Sequence, residues 1–82
     1  MRALLRVDNR DQAKDFVSLF LELEVARFFT VKVVTPNHAA PIRIELSPNP
    51  EVDDRHDTWG ETLRRSFKDG MLRDWYQYAT YS

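Results

Sequence analysis

Phe28-Phe29-Thr30-Val31-Lys32-Val33-Val34-Thr35, then Pro36-Asn37-His38-Ala39-Ala40-Pro41, then Ile42-Arg43-Ile44-Glu45-Leu46: this run decides the fold. Its first part is rich in β-branched and aromatic residues, which suit a pleated, half-buried surface. Pro36 has no N–H to give a ladder and halts the strand. The last part alternates apolar and polar residues at period two, the signature of a strand with one buried face. Together they predict a hairpin. Phe29, Val31 and Val33 share one face of its first strand; Phe28, Thr30, Lys32 and Val34 share the other.

Toward the C-terminus, Ser47-Pro48-Asn49-Pro50 breaks the chain and an acidic stretch follows. Thr58 with Glu61 has the spacing of a capping box, and Trp59, Leu63, Phe67 and Met71 mark one face of a helix. Gly70, just after Asp69, suits the left-handed position that ends many helices. Trp75-Tyr76-Gln77-Tyr78-Ala79-Thr80-Tyr81 has strong β propensity and reads as a last strand. The alternative is a helix that continues through Gly70.

Toward the N-terminus, Ala13, Phe16, Val17, Phe20 and Leu23 follow helical spacing, and Asn9 with Gln12 supplies the start signal. This helix should end near Glu24. Before it, Ala3–Val7 alternates as a short strand, with Leu5 and Val7 on one side and Arg2, Leu4 and Arg6 on the other.

The resulting order is β-α-β-β-α-β, the split pattern of ferredoxin-like α+β domains, in which two helices cover one face of a four-stranded antiparallel sheet. A C-terminal helix would instead give β-α-β-β-α. Eighty-two residues make one domain, 1–82. The 43% apolar fraction supports a core and argues against disorder. Net charge is −1 and cysteine is absent, which excludes disulfides, thiolate nucleophiles and cysteine-ligated metals. No segment reaches membrane-spanning length, so a cytoplasmic domain is the expectation.

The expected core joins Leu5, Val7, Phe29, Val31, Val33, Ile42, Ile44 and Leu46 to Phe16, Phe20, Leu63 and Phe67. The opposite sheet face has no helix of its own. It should carry the cations Arg2, Arg6, Lys32 and Arg43, the apolar residues Leu4, Phe28 and Val34, and rings from the last strand. Those rings are Tyr76 and Tyr78, or Trp75 and Tyr81, according to the strand's phase. An exposed patch of this kind marks an interaction site, and Tyr, Trp and Arg dominate binding energy at interfaces. The expected function is therefore non-catalytic protein binding. The domain would be a regulator or inhibitor of a larger assembly, as some small phage proteins are, or a homodimeric module. The runner-up is single-stranded nucleic acid, since cations between rings can hold phosphates and stack bases and RNA-recognition domains share this topology.

A metal-dependent enzyme is the third reading. Glu51, Asp53, Asp54, His56 and Asp57 are metal-ligand types, but their spacing matches no standard loop, and acidic residues before a helix are favoured by its dipole. Asp8, where some small ferredoxin-like nucleases hold a metal, reads as turn chemistry. His38 has no relay partner nearby in sequence. With two glycines there is no phosphate-binding loop. No cofactor is expected.

Overall fold

The computed structural model of the protein describes residues 1–35, 41–52 and 57–81. Four strands form one antiparallel sheet in the order β2-β3-β1-β4: β1 Ala3–Val7, β2 Phe29–Val34, β3 Ile42–Pro48 and β4 Ala79–Tyr81. Helix α1, Arg10–Leu21, follows β1, and α2, Thr58–Lys68, follows β3. This is the ferredoxin-like α+β arrangement expected from the pattern.

The central pair is β1 with β3, in the register Ala3↔Leu46, Leu5↔Ile44 and Val7↔Ile42. All six of these side chains are buried. Phe16 and Phe20 from α1 and Leu63 and Phe67 from α2 close over them with no exposed surface. The Phe16 ring lies 6.0 Å from both Phe20 and Phe67, near parallel to each. At about 25 cal/mol per Å² of apolar area removed from water, such rings dominate the stability of so small a domain.

The start of α1 matches its sequence signal. Asn9 is extended and its side chain accepts from the Gln12 N–H at 2.9 Å, while the Gln12 side chain reaches back to the Asp8 N–H at 2.8 Å. Asp8 is thus part of the turn into the helix. Helix α2 begins differently from expectation. Asp57, not Thr58, is its N-cap; it sits in the left-handed region at φ 51 and makes no side-chain cap bond. Glu61 pairs instead with Arg64 at 2.9 Å.

Several boundaries depart from the sequence reading, each for a tertiary reason. Helix α1 stops at Leu21, and Glu24–Phe28 forms a 3₁₀ helix. Phe28 therefore belongs to that turn and not to a strand. A second 3₁₀ helix, Arg73–Tyr78, occupies most of the expected last strand and leaves β4 three residues long. Neither a long strand nor a continued α-helix is formed there, because a 3₁₀ turn lets Trp75 reach Phe16, 5.4 Å away and edge-on. Val33 faces the helix layer as expected but is 47% exposed, since β2 is an edge strand and its far end outruns α1's large side chains. Val31 is only half-buried for the same reason. Met71 lies beyond the end of α2 and is exposed, and buried Leu72 replaces it in the core.

Asn49, whose neighbours read only as a chain break, ties β3 to the start of β2. Its N–H donates to the Phe28 carbonyl at 2.9 Å, its side-chain amide to the Arg27 carbonyl at 3.0 Å, and its side-chain oxygen accepts from the Thr30 hydroxyl. Gly70 is likewise needed for a reason other than the expected one, for no glycine here has positive φ. A Cβ on Gly70 would lie 2.9 Å from Ser66 Cα, inside the closed turn in which the Leu72 N–H returns to the Ser66 carbonyl. Gly70→Ala should therefore destabilise the fold by about 1–3 kcal/mol through overpacking, where an unstrained Gly→Ala change would add about 0.4–1 kcal/mol. Urea unfolding of the variant distinguishes the two signs.

Candidate functional site

The alternation that buries Leu5, Val7, Ile42 and Ile44 turns their neighbours to the uncovered side of the sheet. Strand register sets these neighbours in rows. One row runs Lys32, Glu45, Leu4, Thr80 across all four strands. The next runs Val34, Arg43, Arg6. Arg2 sits beside Leu4, Glu45 and Ser47 around a shallow hollow of about 260 Å³.

Arg6 lies directly opposite Arg43 on the two central strands. Directly paired residues have Cβ atoms about 4.5–5.5 Å apart, and like charges so placed destabilise a sheet. Arg2, Arg6, Lys32 and Arg43 are all exposed, and none forms an ion pair among the described residues. Against these four cations the face holds, among the described residues, one carboxylate, Glu45. Its local balance is +3 on a chain of net −1, so the remaining residues together carry −4. The fold has no need of this arrangement. Threonine at either arginine position would satisfy strand propensity without the repulsion.

The structure thus brings together six of the expected site residues, Arg2, Leu4, Arg6, Lys32, Val34 and Arg43, on the uncovered face; Tyr81 is not among them. Tyr81 pairs with Ala3 and so points into the helix layer, 6.0 Å edge-on from Phe67 and under the Arg64 guanidinium. Phe28 is also on the helix side, stacked on Trp59 of α2 with centroids 3.7 Å apart. Trp75 and Tyr78 pack on each other at 5.7 Å and onto the core edge, half-buried. Tyr76 is 56% exposed on the second 3₁₀ helix. None of the side chains that strand register places on the uncovered face is aromatic.

Among the described residues no three His, Asp or Glu side chains converge to hold an ion. Asp57 instead meets the Met1 amino group at 3.2 Å. Asp53, Asp54, His56 and His38 lie outside the described residues. No described helix is long and apolar enough to cross a membrane. The chain matches no family model, no curated protein and no solved structure.

A second site missed by sequence lies on the other side of β2. Arg10, Ala13, Lys14 and Val17 of α1 face Val33 and Ile42 across an apolar groove of about 340 Å³. The only signal for it was the short side chains Ala13 and Val17 in a stripe otherwise filled by Phe16 and Phe20.

The Tyr81 hydroxyl is buried with no hydrogen-bond partner among the described residues. Burial raises its pKa, the neighbouring Tyr76 hydroxyl adds to the rise, and Arg64 opposes it. The folded state therefore holds this proton more tightly than the unfolded chain, whose tyrosines ionise near pH 10. The sign follows: stability falls as pH climbs past 10 toward the raised folded value, because only the unfolded chain gains by releasing the proton. Tyr81→Phe keeps the ring contact and removes the unpaired hydroxyl. It should raise stability by about 1 kcal/mol and make the loss of melting temperature above pH 10 shallower than in the wild type.

Proposed function

We propose that the protein is a non-catalytic binding domain whose uncovered sheet face takes an acidic surface of a partner protein, as a regulator or inhibitor of a larger assembly would. The observation that carries this reading is the Arg6–Arg43 pair, two like charges held opposite each other, with Lys32 in the next row and Arg2 in the row beyond it on the same face. A partner carboxylate seated between the two guanidiniums converts a repulsion into two charge-assisted contacts, the stronger class of hydrogen bond. Leu4 and Val34 supply the apolar part of the contact.

Two alternatives fare worse on the same geometry. Single-stranded nucleic acid would find phosphate partners on this face but no ring on which to stack a base. A two-fold homodimer through the face would set the patch against its own copy, cation facing cation.

The test pairs stability with binding. Arg6→Thr with Arg43→Thr should raise stability by about 0.2–1 kcal/mol, most at low salt where charges are least screened. The same double variant should weaken binding of fluorescein-labelled polyglutamate by about tenfold or more, with the wild-type affinity falling steeply as salt rises. Unchanged polyglutamate affinity would refute the reading. Tighter capture of oligo(dT) than of polyglutamate, lost in the variant, would transfer the face to nucleic acid.

A further inference from the structure

The two free edges of the sheet are unequal. At one end β4 offers three residues; at the other β2 offers six, Phe29–Val34, and pairs only with β3. Long unprotected edges are templates for added strands, and natural proteins ordinarily blunt them. The bond from the Asn49 N–H to the Phe28 carbonyl sets the alternation of the β2–β3 ladder. In the register Thr30↔Ser47, Lys32↔Glu45 and Val34↔Arg43, those β2 residues bond inward to β3. Val31 and Val33 consequently turn their N–H and C=O groups outward, where no described segment meets them. Of the usual protections β2 carries one exposed lysine, Lys32, and no inward-pointing charge, proline or bulge.

The groove against α1 runs along this edge. Val33 is 47% exposed because Ala13 and Val17 are too short to cover it. The charged residues lining the groove are Arg10 and Lys14, both cations and one helical turn apart, and neither has an ion-pair partner among the described residues. Lys32, on the same strand, points to the opposite face.

We infer that the outer edge of β2 is a docking site for an extended segment of a partner protein that adds as a fifth strand, with valine-like side chains entering the groove at Val33 and the alternate carboxylates meeting Lys32 on the opposite face. Main-chain bonds to Val31 and Val33 would supply affinity and the alternate side-chain contacts specificity, as in other strand-addition sites. The charge pattern chooses the occupant. A second copy pairing β2 with β2 about a two-fold axis would bring Lys32, Arg10 and Lys14 toward their own counterparts, whereas an alternating apolar and acidic segment brings no further cation to the groove and meets Lys32 with opposite charge. This inference rests on reading the domain as a binder of acidic protein and names the segment's conformation and place.

The experiment is a titration of ¹⁵N-labelled protein with a blocked peptide of alternating valine and glutamate. Amide shifts should be confined to β2 and the first half of α1, and hydrogen exchange at Val31 and Val33 should slow by about tenfold or more. N-methylation of alternate peptide residues along the bonding edge should abolish these effects. So should Val33→Glu, at a position exposed enough to leave the fold intact. Arg6→Thr with Arg43→Thr should leave them in place, which separates this site from the open face. Shifts restricted to Arg2, Arg6 and Arg43 would overturn the inference while leaving the open-face reading standing. Equal binding of the N-methylated peptide, or no shifts at all, would also overturn it. A dimer by light scattering with Val31 and Val33 amides protected before any peptide is added would assign the edge to a second copy instead.

Discussion

Everything in this domain depends on the pairing of β1 with β3. Leu5 opposite Ile44 and Val7 opposite Ile42 form the floor of the core, and both helices are placed by covering it. Side chains alternate at period two, so the same register that buries these four holds Arg6 opposite Arg43 on the far side. A one-residue slip of either strand would turn an arginine into the phenylalanine layer. Burying that charge unpaired would cost several kcal/mol in a fold of this size. The core therefore enforces the arginine pair, although it gains nothing from it. Packing fixes the backbone positions of the pair in advance, and on the proposed reading a site so fixed loses less conformational entropy when a partner occupies it.

The two halves of the chain are built alike. Each runs strand, α-helix, 3₁₀ helix, strand, and each 3₁₀ helix sends a ring to the helix of the other half. Phe28 from the first stacks on Trp59 of α2; Trp75 from the second meets Phe16 of α1 edge-on. These crossed contacts join the halves above the sheet as β1–β3 pairing joins them within it. They also remove from the uncovered face the rings that β propensity would have placed there. Aromatic rings bury too much apolar area to remain on a strand's wet side when a short helical turn can fold them onto the core.

Strands β1 and β3 and helix α1 were legible because each depends on a local period and a local cap: Leu5 and Val7 at spacing two, Phe16 and Phe20 at spacing four, Asn9 with Gln12. What was not legible depends on where an element falls relative to another. The phase and length of β4 were hidden because Trp75, Tyr76 and Tyr78 fit a strand on propensity, while their position is decided by the gap beside Phe16. Val33 obeys the alternation of β2 and is still exposed, since coverage depends on which α1 residue crosses above it, and that residue is short. Gly70 was marked correctly for a wrong reason: helix ends commonly need a left-handed residue, but this one needs a missing Cβ. Of the uncovered face, the cations and Leu4 were readable from alternation alone, and the aromatics were not.

Charge shows most plainly how structure changes a sequence's meaning. A net of −1 says that this chain has no preference for anions, and averaged over its surface that is so. Alternation in β1, β2 and β3 nevertheless gathers Arg2, Arg6, Lys32 and Arg43 within one face and leaves the acidic residues to the helices and turns. Neighbouring strands lie only about 4.8 Å apart, well inside the ~10 Å over which salt at 0.1 M screens a charge. A partner approaching the sheet therefore meets a local field of +3 from the described residues, four cations against Glu45. If the face takes an acidic partner as proposed, this local field orients it during encounter, before any side chain touches, and gives association a direction that the net charge does not reveal.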